Sequence, residues 1–337
     1  MTLRQLAVSL LAAAALAACD LGGDEQDVAP PVRVEPSIEA RAVTGYADLS
    51  GDVVDIVLLP NQTPFLGRAI AALDTGGFVS FDLASSVSTT LDGPVAGALA
   101  AAPDFSLRGS AAPLLFATGG EIEGVRAWVY LVDEETLIDI PLDPIEIDGD
   151  ILAFCEGRVT EAVADLIIAT ENAVETWQVR DSGGERLAVS RAASIETDEP
   201  MAACDSLGSS IVGVRQTGRA YEIGPADPLW GAERVIDAAV VPRADSEWVF
   251  LARPETGAGA LITPFNDRVR VDFVEGFNTA STPAPDVLAG ASENFGGPFS
   301  AGVLAAAQGN NINFMELGGL LDGALAAVRE VNAADDD

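Results

Sequence analysis

Six stretches of this chain share one pattern, a short strand-like run built around an aromatic ring. They are "GGFVSFDL" (76–83), "GVRAWVYLVD" (124–133), "NAVETWQV" (172–179), "GRAYEI" (218–223), "GALITPF" (259–265) and "NINFMEL" (311–317). With one ring taken from each (Phe81, Tyr130, Trp177, Tyr221, Phe265 and Phe314), the intervals are 49, 47, 44, 44 and 49 residues. A repeat of this length marks a unit that cannot bury its apolar face alone and must stack on its neighbours. An ordinary β-sandwich with coincidental spacing is the competing reading.

Each period has further strands inside it. Ahead of the ring-bearing strand stands a second apolar run: "RAIAAL" (68–73), "LLFAT" (114–118), "ADLIIAT" (164–170), "SSIVGV" (209–214), "EWVFLA" (247–252) and "AGVLAAA" (301–307). Earlier still come "VVDIVLLP" (53–60), "DILAFCE" (150–156), "MAACD" (201–205), "DAAVVP" (237–242) and "PDVLAG" (285–290). Three or four short strands per period, separated by Gly, Asp and Pro, are what a propeller blade requires. The expected fold class is therefore all-β, a six-bladed β-propeller over 37–330. Leu320, Leu321, Leu325 and Val328 in "GGLLDGALAAVREVN" have helical spacing and predict one short helix from about Gly318.

Charge excludes several chemistries. The chain has 337 residues and a formal net charge of −34; its 18 basic residues are all Arg, and it has neither Lys nor His. A His general base, a Ser-His-Asp triad, a His-ligated metal and a Schiff-base Lys are ruled out. So acidic a chain is not expected to bind nucleic acid. Acidity also has a plain reading, solubility in a salty medium, to be weighed against a basic partner.

The N-terminus reads as an export signal. Arg4 precedes an apolar run, Leu6–Leu16, that is too short to span a bilayer. It ends in Leu16-Ala17-Ala18-Cys19, which resembles a bacterial lipobox. That resemblance implies a lipoprotein signal peptide (1–18), lipidation of Cys19 and a membrane anchor. A plain signal peptide with a chance Cys is the alternative. Residues 19–36, acidic and Pro-rich, read as a flexible tether, and 331–337 as an acidic tail. The implied location is the bacterial cell envelope, facing the periplasm, with an envelope protein as a candidate partner.

Cys155 and Cys204 remain. In an exported chain they are candidates for a disulfide, at the same place in consecutive blades. Two buried free thiols are the other reading.

The ordered segments resemble those of the β-propeller phytase family, which releases phosphate from phytate with Ca²⁺ at the channel mouth. "RAIAALDTGGFVSFDL" is similar to the family's first-blade strand pair. The "NAVETWQVRDSGG" hairpin (172–184) is similar to a segment of its third blade. "EPMAACDSLGSSIVGVRQTGRAYEI" resembles its Q-x-E-G-C-V-x-D segment with the strands that follow, and "NTASTPAPDVLAG" with "GPFSAGVLAAAQGNNINFMEL" resembles its closing blade. The resemblance spans roughly 40–322.

It implies Ca²⁺ as cofactor, held by about six to eight oxygens, with metal-activated water and cations on the phosphate. The chain departs from that pattern. Where the family has carboxylates stand Ala202, Ala238, Pro283 and Gly309; where it has a phosphate-binding Arg stand Gly119 and Gly120; where it has Lys stand Thr75 and Thr170. Asp55, Glu171, Asp205, Asp237 and Asp286 remain as candidate Ca²⁺ ligands, each weighed against an ordinary strand-end or turn acid. Arg126, Arg215 and Arg219 are candidate anion contacts, weighed against surface ion pairs.

Three functions follow. One is a catalytically degenerate propeller lipoprotein acting as a binding or assembly module. The alternative is a divergent Ca²⁺-dependent phosphomonoesterase of the 3-phytase type, acting on phytate or a smaller phosphate ester. A purely structural envelope protein is a third.

Overall fold

A computed structural model describes residues 35–207, 210–223, 228–230, 234–244, 246–280 and 282–335. Cys19, the signal peptide and almost all of the tether lie outside the described residues.

The repeat folds as a succession of four-stranded antiparallel units. β1 (Ser37–Tyr46) comes first in the chain. β2 (Val53–Leu59), β3 (Arg68–Leu73), β4 (Phe78–Asp82) and β5 (Val87–Leu91) then form one sheet. β6 (Ala98–Ala102) is followed by a two-stranded ribbon, β7 (Ser106–Leu107) and β8 (Ser110–Ala111). It then pairs with β9 (Leu114–Gly119), which continues into β10 (Ile122–Leu131) and β11 (Thr136–Ile140). A third sheet is β12 (Ala153–Val159), β13 (Val163–Ala169), β14 (Ala173–Asp181) and β15 (Leu187–Glu196). A fourth is β16 (Met201–Leu207), β17 (Ser210–Arg215), β18 (Ala220–Glu222) and β19 (Pro228–Trp230).

The last units share one sheet. β20 (Asp237–Arg243), β21 (Ser246–Arg253), β22 (Ala258–Ile262) and β23 (Arg268–Val274) lie on one side of β1. β24 (Val287–Ala291), β25 (Val303–Gln308) and β26 (Asn311–Glu316) lie on the other, giving eight strands in the order 20-21-22-23-1-26-25-24. β1 runs parallel to β23 through Ser37–Arg41 and antiparallel to β26 through Ala42–Tyr46. The first strands of the units, β2, β6, β12, β16, β20 and β24, are neighbours in that order, and β24 returns to β2. The arrangement is all-β and propeller-like.

Strand alternation builds the core. Side chains along a strand point to opposite faces of its sheet. Ile56 and Leu58 of β2 thus pack with Ala305 and Phe314, while Val57 and Leu59 pack with Leu99 and Leu115 on the other side. Strands buried on both faces read as continuous apolar runs, and every residue of "RAIAAL" in β3 is buried.

Sheets set around an axis diverge with radius, so larger side chains are needed further out. The inner strands are rich in Ala, Val and Leu; in the first, second and last units rings on the third strands fill the space further out, where Phe78 meets Trp128 at 5.6 Å and Phe81 meets Phe314 at 5.6 Å between neighbouring sheets.

The fifth marker departs from expectation. Phe265 lies beyond the end of β22, in the turn to β23, and is 76% exposed. Its sheet fills the wedge differently, with Trp248 and Phe250 of β21 and with α1 (Leu317–Asp335), whose Leu320, Leu321, Ala324 and Val328 are buried against β1 and β23. This helix is longer than its apolar spacing indicated, and the residues read as the acidic tail are helical as far as Asp335. No helix among the described residues is long and apolar enough to cross a membrane.

Candidate functional site

An innermost strand is a sheet edge, so every second N–H points at the axis without a ladder partner. Buried N–H groups need acceptors. Here acidic side chains of neighbouring inner strands supply them. Asp55 Oδ2 of β2 accepts from Leu99 N of β6 at 2.6 Å. Glu156 Oε2 of β12 accepts from Ala101 N of β6 at 2.9 Å. Asp205 Oδ2 of β16 accepts from Val240 N of β20 at 2.6 Å, and Asp237 Oδ2 of β20 from Leu288 N of β24 at 2.7 Å. Asp55 and Asp205 also accept from the N–H of the residue that follows each, Ile56 and Ser206.

The junction between β12 and β16 is closed covalently. Cys155 and Cys204 form a disulfide with Cα atoms 5.8 Å apart, which excludes the two-thiol reading. Beside it Ser206 Oγ donates to Glu156 O at 2.6 Å. The remaining junction, β24 to β2, is bordered by backbone bonds from Leu49 N to Asn310 O and from Val53 N to Gly309 O.

These groups surround a central cavity of about 310 Å³, lined by Asp55, Glu156, Asp205 and Asp237 with apolar walls such as Val57, Phe154 and Leu288. Pro60, Asp104, Arg158 and Glu293 lie where the inner strands end. A smaller cavity of about 180 Å³ opens where those strands begin, lined by Gly97, Leu152, Ile236 and Asp286 among others. Asp55, Phe154, Cys204 and Asp237 line both.

Confinement shifts the acids. Burial, only partly offset by the backbone N–H groups, pushes Asp55 and Asp205 up to about 7. Burial, then the negative charge of Asp205, pushes Glu156 up to about 8. Burial holds Asp237 well above the usual carboxylate range. Taking a charge out of water costs more than one or two hydrogen bonds return.

The candidates from sequence separate into two groups. Asp55, Asp205 and Asp237 converge on the larger cavity. Asp286 is exposed at the smaller cavity, where it accepts from Gly309 N at 3.4 Å. Glu171 is exposed in the turn between β13 and β14 and lines neither cavity. Among the described residues no group of three or more acids or cysteines is disposed to hold a metal ion.

Glu156 is a channel acid not singled out in the sequence. Its signal was there: Cys155-Glu156 and Cys204-Asp205 are matching Cys-acid pairs in consecutive repeats. The candidate Arg residues lie away from both cavities. Arg126 pairs with Asp139 at 2.5 Å and covers the Trp128 ring; Arg215 pairs with Asp198 at 2.7 Å and covers Tyr221; Arg219 is exposed at the β17–β18 turn.

No protein-family model and no curated protein matches this chain. Solved structures do. A structural-genomics protein of unknown function from Bacteroides thetaiotaomicron matches over 84% of this chain and 75% of its own, at 12% identity and a TM-score of 0.51. BBS1N, in a complex with ARL6DN soaked with lead, matches over 82% of this chain and 96% of its own, at 10% identity and a TM-score of 0.54. The likeness is one of fold. Both are propeller-like.

Proposed function

We propose that the chain is a six-bladed, phytase-like propeller lipoprotein of the bacterial cell envelope, catalytically degenerate and kept as a binding or assembly module. The count of six rests on the ring of inner strands that returns from β24 to β2, with β1 as the outer strand of the last blade. The lipid anchor rests on Leu16–Cys19, and the family likeness on the ordered segments quoted above.

One observation carries the degenerate reading. The acids best placed to hold Ca²⁺ already accept backbone N–H groups from the next inner strand. A carboxylate used in this way offers fewer lone pairs to a hard cation that takes about six to eight oxygens. Arg158 is the basic side chain lining the larger cavity among the described residues, a weak complement for a polyanion. Fold alone does not confer the old activity. One fold neighbour was solved in complex with a second protein, which accords with a propeller serving as a binding platform.

The phosphomonoesterase alternative draws on the convergence of Asp55, Asp205 and Asp237 on one cavity. Melting of the metal-free protein, with and without Ca²⁺ and phytate and with released phosphate assayed in the same samples, separates the two. No Ca²⁺-dependent rise in Tm and no phosphate is expected; a rise accompanied by phosphate release overturns the degenerate reading.

A further inference from the structure

The side-chain links between inner strands form one connected series. Asp55 ties β2 to β6, Glu156 ties β12 to β6, the disulfide ties β12 to β16, Asp205 ties β16 to β20, and Asp237 ties β20 to β24. On the six-bladed reading the disulfide therefore lies opposite the β24–β2 junction, where the ring closes. Cutting it leaves two arcs, β2-β6-β12 and β16-β20-β24, each still laced by its own acids.

We propose that the Cys155–Cys204 bond is a redox catch on the ring: its reduction by a small dithiol parts β12 from β16 and lets the two arcs move about the β24–β2 closure. This rests on the six-bladed reading. Access comes from the channel, because Cys204 is half-buried and lines both cavities, whereas Cys155 is buried. A thiolate of the reductant attacks the Cys204 sulfur, and Cys155 leaves as a thiolate that takes a proton. The second thiol then resolves the mixed disulfide, releasing Cys204 as a thiol and the reductant as a cyclic disulfide. Two electrons and two protons pass to the protein. Across the parted junction the Ser206 Oγ to Glu156 O bond remains, a neutral contact, beside the apolar packing of Ala153, Ile167, Ala169 and Val174 against Met201 and Ile211, which opening must expose.

Amide hydrogen exchange on the full chain tests this, oxidised and then after reduction by dithiothreitol. In the oxidised protein the amides of Leu99, Ala101, Val240 and Leu288 should exchange slowly; fast exchange there overturns the ring itself. After reduction, exchange should rise at least about tenfold across β12 and β16 and at Leu49 and Val53, with those four amides unchanged, as expected of a sub-global opening. Uniform acceleration, or no change, overturns the catch. Joint replacement Cys155→Ser and Cys204→Ser should give the reduced pattern without reductant. If that variant does not fold, reversal of the pattern on reoxidising the native protein decides the matter.

Discussion

Asp205 reaches across 35 residues of sequence to accept the N–H of Val240 at 2.6 Å, and the same carboxylate accepts Ser206 N at 2.7 Å. One side chain thus serves two edge amides on neighbouring strands. Asp205→Ala leaves both N–H groups without that acceptor and should cost about 1–3 kcal/mol. Asp205→Asn removes the confined charge and keeps one acceptor, but sets its NH2 against the other N–H, and should cost less than Asp205→Ala without being neutral. Urea unfolding at neutral pH compares them; equal losses would deny the latch.

Acidity should stabilise this fold over a range where many proteins are indifferent. Asp55 and Asp205 are raised to about 7 and Glu156 to about 8. A carboxyl raised on folding binds more protons folded than unfolded, so stability falls as pH rises. For these groups stability is fully present below their unfolded values, near pH 4, and is lost as pH climbs through about 7–8. Tm measured from pH 5 to pH 8.5 should decline steadily, and Asp205→Asn should flatten the slope. A Tm that rises over that interval would refute the assignment.

Much of this architecture was legible because burial on both faces writes itself into sequence. "RAIAAL" is β3 to the residue, and the runs at 53–60, 201–205 and 237–242 fall on inner strands. The inner strand Ala98–Ala102 went unread, since "ALAAA" lacks the β-branched and aromatic residues that mark a strand. Only the narrow space near the axis explains it. β1 was also invisible as a closing strand, because its partners, Arg270–Val274 and Ile312–Met315, lie more than two hundred residues downstream. Asp55, Asp205 and Asp237 were named as Ca²⁺ ligands at the channel mouth that the family resemblance implies; that they accept neighbouring N–H groups depends on blade packing that no local pattern encodes.

Inner strands approach closely where the residues are small. A Cβ on Gly290 of β24 would lie 2.2 Å from Val241 Cγ1 of β20. Val is stiff at χ1 and cannot swing aside freely. Gly290→Ala should therefore cost about 1–3 kcal/mol by overpacking, whereas Gly257→Asn, in an open left-handed turn at φ 64°, should be mild. Thermal melts of the pair provide the check; similar losses would locate no close approach at Gly290.

The closing strand offers a sharper contrast between neighbours. Ala40 is fully buried, in the cluster that joins β23 and α1, and Val43 is 42% exposed three residues later. Ala40→Asp buries an unpaired charge and should cost about 3 kcal/mol or more. Val43→Asp should stay within about 0.5 kcal/mol. Denaturant midpoints that fall equally for both would contradict the placement of β1.

β1 engages β23 with its first half and β26 with its second. Ser37 therefore leaves the fold at the outer rim, and not at either mouth of the channel. A pull on the chain ahead of Ser37 would run along β1 and load its backbone bonds to both strands together, in shear. Tension entering at Ser37 would thus be borne by the strand that joins the last two units of the ring, and not by the inner strands that line the channel.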